Sequence, residues 1–197
     1  MTSPVLITVS LPPVTDESIP LTETIRFFKL GKKYVYFHTV FFTQQNDCIT
    51  IDKLRNEFPD IFIQGLNSDI IYNYEHIFEI LKISNLANMR NTMCSQKIEL
   101  DFLLRIMGTN QISKAIREGG VKIDHYVTFV VLANKRQINK INQKLNFIFG
   151  NSVDNIFTDK RLLKKKIEQY KKKFNNDFFD EKNIIKLLTE IAVLVMK

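Results

Sequence analysis

The sequence is poor in the residues that most often mark a redox, metal or cofactor site. Its 197 residues include two cysteines, Cys48 and Cys94, whose separation fits no metal-binding or redox motif. The three histidines are isolated, and the six glycines form neither a P-loop nor a G-x-G-x-x-G fingerprint. We therefore expect reduced thiols, no metal, no cofactor and no catalytic role. An active site assembled from distant residues is the alternative.

Long hydrophobic runs are also missing. No apolar stretch approaches the roughly 20 residues that a helix needs to cross a bilayer. The amino terminus lacks the basic start and apolar core of a secretory signal. We therefore expect a soluble, intracellular protein that makes no contact with a membrane.

The charge balance is moderately basic. The chain carries 28 Lys and Arg against 21 Asp and Glu, a net charge of +7, and 45% of its residues are hydrophobic, enough for one domain with a core. Such a charge favours acidic partners such as RNA. Eight basic residues fall within 160–174 alone. They are interpreted either as the solvated face of an amphipathic helix or as a nucleic-acid contact.

The first 30 residues differ from the rest. They contain Pro4, Pro12, Pro13 and Pro20, which restrict the backbone and remove hydrogen-bond donors. We predict an extended N-terminal arm over residues 1–30, in which residues 5–11 alternate well enough to add an edge strand. Residues 31–197 are predicted to form a single domain.

The rest of the chain mixes strand and helix patterns. Residues 34–42 and 127–132 are rich in aromatic and β-branched side chains, which favour strands. Residues 72–87, 160–174 and 181–196 repeat apolar side chains at helical spacing. These patterns predict an α/β fold with a small mixed or antiparallel sheet packed between helices and a helical C-terminal third.

Residues 98–106 alternate between apolar and polar, with Leu103 as the single exception. The apolar positions are Ile98, Leu100, Phe102, Leu104 and Ile106, and the polar ones include Glu99, Asp101 and Arg105. A period of two predicts a strand with one covered face. Gly108 then permits a sharp bend, and a short helix is predicted to begin near Asn110 and to end at Gly119–Gly120.

The final predicted helix has an unusually wide apolar surface. Ile184, Leu188, Ile191 and Val195 form one stripe, and further apolar side chains flank it on both sides. At about 100° per residue, the apolar arc covers roughly half the circumference or more. Part of this helix is therefore expected to meet either a partner protein or a second internal layer.

One short segment resembles a known family. Residues 107–116 read Met-Gly-Thr-Asn-Gln-Ile-Ser-Lys-Ala-Ile, and Gly120-Val121 follow. The stretch from Lys97 to Val121 resembles the family of the PRPK-binding protein, a subunit of the KEOPS complex. Animal members have a strand, then a serine-proline-asparagine-rich turn, an Asn-Ile-Ser-x-Ala-Leu helix start and a Gly-Ile after the helix. Archaeal members have Ser-Gly-x-Arg-Gln-Ile, from which this sequence departs at Met107 and Asn110.

The resemblance covers about residues 35–197. Residues 67–83 are similar to the family's Asn-Ala-Asp-x-Val stretch and the helix after it. Met89-Arg90 is similar to a basic dipeptide, and residues 187–192 resemble the closing helix. Each motif is short, and their shared order makes the resemblance specific.

The resemblance implies an α/β fold and a role in the threonylcarbamoyl modification of tRNA adenosine, in the cytoplasm and the nucleus. Members of the family do not perform the chemistry. They bind the complex's PRPK-type, kinase-like ATPase, and through it act indirectly on the threonylcarbamoyl transferase. Archaeal members also hold the single-stranded 3′ CCA end of the tRNA.

Candidate site residues follow from this resemblance. For the ATPase we expect contacts at Leu187, Leu188, Ile191 and Val195. For tRNA we expect contacts at Arg90, Lys97, Arg105, Gly108, Thr109, Asn110, Gln111, Lys114 and Arg117. The helix start after Gly108 suits a phosphate, and Asn110 offers hydrogen bonds without charge. The alternatives are a stand-alone RNA-binding domain and an RNA-processing enzyme with an unrecognised site.

Overall fold

A computed structural model describes residues 7–9, 25–43, 49–153 and 155–195. Within them, five strands form one antiparallel sheet in the order β1-β2-β3-β5-β4. The strands are β1 (Ile7–Val9), β2 (Ile25–Leu30), β3 (Lys33–Phe42), β4 (Phe62–Asn67) and β5 (His125–Ala133). The seven α-helices of the described residues are α1 (Ile49–Glu57), α2 (Tyr74–Met89), α3 (Ile98–Met107), α4 (Ile112–Gly119), α5 (Lys135–Phe149), α6 (Lys160–Phe174) and α7 (Ile184–Leu194).

The sheet is buried on both faces. In β5, Val130 and Leu132 belong to a core cluster that includes side chains of α2 and α3. Phe129 and Val131 point the other way, into a cluster with α1 and α5. This alternation is the two-residue period of a strand, applied to a strand that is covered on both sides. We call these the first face and the second face of the sheet. The predicted α/β fold, with an antiparallel sheet between helices, is confirmed.

The C-terminal third is helical, as predicted. Tyr170 of α6 packs with Phe179 and with Leu188 of α7 in a third apolar cluster. In addition, α7 packs against α2 and α3, so it lies between α6 and the layer on the first face. The wide apolar arc of this helix is therefore covered to a large extent by a second internal layer, which is one of the two expectations.

The strand predicted over residues 98–106 is wrong, because these residues form α3. Every residue from Asp101 to Met107 is buried, so the helix has no polar face from which a helical period could be recognised. Its two buried charged residues, Asp101 and Arg105, are four apart and pair with each other. Their spacing of four residues is helical, but because four is a multiple of two, it also fits the alternation of a strand.

The boundary of the predicted N-terminal arm also changes. Residues 25–30, assigned to the arm, form β2 and pair with β3 inside the sheet. The edge strand expected within residues 5–11 is present as β1, which pairs with β2. The other residues of the arm, 1–6 and 10–24, lie outside the described residues, as does Cys48. Cys94 is half-buried and is a free thiol.

Within the part of the chain that the structure describes, no helix combines the length and the apolar character needed to cross a membrane.

Candidate partner and RNA-binding surfaces

The predicted bend at Gly108 is confirmed as the end of α3. Gly108 has a left-handed backbone conformation, with φ 61° and ψ 41°. Its N–H donates to the carbonyl of Arg105 and the N–H of Thr109 donates to that of Leu104, both at 3.1 Å. These bonds satisfy two of the last carbonyls of the helix, as left-handed helix ends commonly do. The chain can then reverse into α4.

The inner side of the turn is packed against the C-terminal helices. A Cβ atom placed on Gly108 would lie 2.8 Å from Cγ2 of Ile191 and 3.1 Å from Cε1 of Phe174. These residues belong to α7 and to the last turn of α6. Gly108 therefore shapes the turn, and only the residues after it offer open surface.

The start of α4 is open to solvent. Thr109 is half-buried, and its hydroxyl accepts a bond of 3.2 Å from the N–H of Gln111. Asn110 and Gln111 are exposed, and Gln111, at the N-cap position, makes no side-chain capping bond. The first N–H groups of a helix have no partner within it and form the positive end of its dipole. This arrangement can bind an anion such as phosphate.

A lysine from another helix joins this region. Desolvation lowers the pKa of Lys173 to about 8; Glu118 opposes this effect, and Lys114 adds to it. The ammonium of Lys173 also lies 5.0 Å from the ring centroid of Phe174, which packs on Gly108. Two positive charges, one from α4 and one from α6, therefore lie near the turn. The sequence places Lys173 only on a basic helix, because no local pattern connects residues about 60 positions apart.

The predicted contact of Arg105 with RNA is wrong, because this residue is buried, with only 2% of its surface exposed. Its guanidinium donates to Asp101 at 2.8 Å and to the carbonyl of Ala192 at 2.9 Å. Burial alone would raise the pKa of Asp101, but hydrogen bonds from Arg105 and from the N–H of Cys94 hold it below its usual value. The pair connects α3 with α7 and with the loop after α2.

The remaining predicted RNA-contacting residues are exposed but do not form one cluster. Arg90 caps the end of α2 and Lys97 begins α3. Arg117 lies on α4 and pairs with Glu118 at 3.2 Å. The ten residues of α3 span about 15 Å, at 1.5 Å per residue. Lys97 and the Gly108 turn therefore lie at opposite ends of this helix.

Lys97 borders a cavity of about 610 Å³ between α1, β4, α3 and α4. Leu100, Leu103, Ile116 and Val121 are among its apolar lining residues, and Asp52, Arg55, Lys97 and Glu99 are its charged ones. Arg55 donates to the carbonyl of Ile63 at 3.2 Å and to the side chain of Gln64 at 3.0 Å. With two charges of each sign, the cavity has no net preference for an anion.

The predicted ATPase contacts on α7 are mostly internal. The prediction that Leu188 contacts the ATPase is wrong, because this residue is 3% exposed and packs in the third apolar cluster. Leu187 and Ile191 are half-buried against the same cluster, and Val195 packs against the cluster of the first face. The apolar side chains that α7 does expose are Val193 and Leu194, at 52% and 54%.

A second helix end carries similar side chains. Leu86 and Met89, in the last turn of α2, are exposed, Met89 to 73%. The bonds of Asp101 to Cys94 and of Arg105 to Ala192 connect the loop after α2 with the end of α7. We call Leu86, Met89, Val193 and Leu194 the helix-end surface. The sequence does not reveal it, because helical spacing alone does not show which apolar residues a neighbouring helix covers.

Each of the three histidines makes a polar contact with another residue of the fold. His76 is buried, its Nδ1 accepts a bond of 3.3 Å from the N–H of Tyr72, and desolvation lowers its pKa to about 3. His38 is buried at 2.9 Å from the hydroxyl of Tyr36, and His125 lies 2.8 Å from Asp69. Among the residues that the structure describes, no three His, Cys, Asp or Glu side chains lie together as a metal site requires.

Comparison of the sequence with protein-family models and with curated proteins gives no match.

Proposed function

We propose that the chain is a non-catalytic subunit of a KEOPS complex, which binds the kinase-like ATPase and assists with tRNA in threonylcarbamoyladenosine synthesis. The observation that carries this proposal is the segment from Met107 to Ile116. Its residues resemble the family's turn and helix start in order, with departures at Met107 and Asn110. In the fold they form a left-handed glycine at a helix end, followed by an open helix start.

The fold gives independent support of a coarser kind. The resemblance implies a small sheet between helices and a closing helix near the C terminus. The antiparallel sheet, the helices on its two faces and α7 agree with this expectation. The strand that family members have before the turn is not present, because these residues form helix α3. Many unrelated proteins share such an architecture, so the turn remains the more specific support.

The helix-end surface is the proposed contact for the ATPase. It offers two exposed apolar side chains from the end of each of two helices. Hydrogen bonds of Asp101 and Arg105 connect the loop after one helix with Ala192 of the other. Exposed apolar side chains that lie together commonly mark a protein interface. Leu187, Ile191 and Val195 are half-buried and pack against the apolar clusters. Their proposed role is to fix the position of α7 and so of this surface.

Size-exclusion chromatography with the KEOPS kinase-like ATPase of the same organism tests this contact. We expect the wild-type chain to co-migrate with the ATPase, and Met89→Glu with Leu194→Glu to abolish co-migration. The matched control is Phe147→Glu, since Phe147 is 88% exposed on α5. Co-migration that survives the double substitution would place the contact elsewhere, and no co-migration of the wild type would contradict the proposed function.

The start of α4 is the proposed site for the tRNA end. Its exposed N–H groups, together with Lys114 and Lys173, suit one or two phosphates of a single strand. Asn110 and Gln111 supply hydrogen-bonding groups for base edges. We expect tRNA to bind more tightly with its CCA end than without it. Lys114→Glu with Lys173→Glu should remove this difference, whereas Lys140→Glu on α5 should leave it intact.

If the chain binds tRNA with equal affinity with and without CCA, at several salt concentrations, then binding is non-specifically electrostatic and the start of α4 does not recognise the CCA end. Turnover of a nucleotide or RNA substrate by the isolated chain would instead support the enzyme alternative.

A further inference from the structure

Two exposed aromatic side chains lie side by side at one end of the sheet. Phe41 of β3 and Tyr126 of β5 are register partners, and their ring centroids are 5.3 Å apart in an edge-to-face arrangement. Phe41 is 48% exposed and Tyr126 is 37% exposed. Neither is among the side chains of the three apolar clusters of the described residues.

The next pair along the same face shows where the covered part of the sheet ends. Thr39 and Thr128 are buried, with their hydroxyls 3.0 Å apart, and the hydroxyl of Ser68 lies 2.8 Å from that of Thr128. Side chains two residues apart in a strand lie on the same face. Phe41 and Tyr126 therefore continue the first face beyond its polar, buried end into solvent.

The basic helix α6 runs past this end of the sheet. The ammonium of Lys166 donates to the carbonyl of Ser68 at 3.0 Å and to that of Ile71 at 2.6 Å. Asp69, between these two residues, pairs at 2.8 Å with His125, the neighbour of Tyr126. These contacts fix Lys166 of α6 beside Ser68 and Ile71, next to the end of β5 that carries Tyr126.

The N-terminal half of α6 is rich in exposed positive charge. Lys160, Arg161, Lys164 and Lys165 all face solvent. They lie within about 9 Å of Lys166 along the helix axis, at 1.5 Å per residue. Their long side chains can reach a chain of phosphates that passes over Phe41 and Tyr126.

We infer that Phe41 and Tyr126, together with the basic N-terminal half of α6, form a binding site for single-stranded RNA. The aromatic rings stack on unpaired bases, and the lysines of α6 neutralise the phosphates. Although Asp69 and Asp124 also lie near this end of the sheet, the four exposed basic side chains of α6 favour a polyanion over a neutral peptide.

This site is separate from the start of α4. The Gly108 turn packs on Phe174, which lies about 12 Å from Lys166 along α6. The inference therefore goes beyond the proposed function. It is tested without the ATPase and without a CCA end, so its failure is distinguishable from failure of the proposed function.

The test is fluorescence anisotropy of the isolated chain with a labelled single-stranded oligouridylate of about 12 nucleotides, which covers a typical single-strand site. Phe41→Ala with Tyr126→Ala should weaken binding by about fivefold or more, the effect of losing one stacked base. Phe147→Ala, which removes an exposed aromatic side chain from α5, should leave the affinity unchanged. Thermal unfolding of each variant establishes that it is folded.

Two further variants separate stacking from other contacts. Phe41→Leu with Tyr126→Leu keeps the apolar bulk and should weaken binding as much as the alanine pair. Lys164→Glu with Lys165→Glu should weaken binding and reduce its dependence on salt. The inference is overturned if the wild type does not bind at low salt, if the alanine pair binds as tightly as the wild type, or if the leucine pair does.

Discussion

At the scale of single residues, Gly108 meets two separate requirements. Its backbone lies in the left-handed region, which an L side chain adopts with strain. A Cβ atom would also lie 2.8 Å from Ile191. Gly31 has the same requirement for φ, at 62°, but a Cβ atom placed on it would point into open space. Alanine substitutions at Gly108 and at Gly31 therefore separate the effect of backbone strain from that of steric overlap.

We predict that Gly108→Ala lowers the free energy of unfolding by about 2–4 kcal/mol, the sum of backbone strain and overpacking. Gly31→Ala should lower it by about 1 kcal/mol, from backbone strain alone. Urea denaturation measures both. Equal losses at the two positions would show that α6 and α7 do not restrict the turn.

The buried pair of Asp101 and Arg105 predicts a dependence on pH. Hydrogen bonds lower the pKa of Asp101 in the folded chain, so the folded state binds this proton less readily than the unfolded state. The stabilisation is complete above the unfolded pKa of about 3.9 and is lost as the pH falls through the folded pKa. The free energy of unfolding, measured in urea from neutral to acidic pH, should decrease in this range.

Asp101→Asn should remove this contribution and destabilise the fold by about 3–5 kcal/mol at neutral pH, because Arg105 keeps a buried charge without its partner. Asp52→Asn is the control, since Asp52 pairs with Arg55 on the surface at 3.4 Å. Its effect should be below about 0.5 kcal/mol. If Asp101→Asn does not change the pH dependence of the free energy of unfolding, that dependence arises from other carboxylates.

At the scale of secondary-structure elements, α7 contains leucines in opposite environments. Leu188 is buried, whereas Leu194 is half exposed on the helix-end surface. We predict that Leu188→Ala destabilises the fold by about 2–5 kcal/mol, through the loss of buried surface and the cavity that remains. Leu194→Ala should change it by less than about 1 kcal/mol. Thermal unfolding compares them, and a larger effect of Leu194→Ala would contradict the packing of α7.

The elements differ in how well the sequence predicts them. Residues 34–42 and 127–132 contain dense aromatic and β-branched side chains, and the strands that these predict are present. Residues 160–174 have one apolar stripe against a basic surface, and the helix that this pattern predicts is also present. In α3, burial on nearly all sides removes this contrast, and the ion pair of Asp101 with Arg105 imitates the alternation of a strand.

At the scale of the whole molecule, the candidate surfaces join residues that are distant in sequence. The bend at Gly108 is predictable, because glycine adopts turn conformations that other residues reach only with strain. The helix that ends there is not. The proximity of Lys173 to Lys114, and that of the end of α7 to the loop after α2, are not predictable. Their proximity depends on how α6 and α7 pack on α2, α3 and α4, and hydrophobic periodicity contains no information about that packing.

Lys173 predicts how RNA binding at the start of α4 depends on pH. With a pKa of about 8, its ammonium is charged at neutral pH and loses its proton as the pH rises past this value. An RNA ending in CCA should therefore bind more weakly at about pH 9 than at about pH 7, by the loss of one positive charge. In Lys173→Met the affinity should be lower and nearly constant. An unchanged pH dependence in this variant would exclude Lys173 from the site.

The contact between Ile191 and Gly108 makes the Gly108 turn sensitive to the position of α7. The methyl group of Gly108→Ala would occupy the space that Ile191 now fills. A ligand that draws α7 away from the turn would relieve the overlap and bind this variant more tightly than the wild type. A ligand that holds α7 in place would show no such preference. Comparing the affinity of Gly108→Ala with that of the wild type therefore shows whether a ligand on the helix-end surface changes the conformation of the turn.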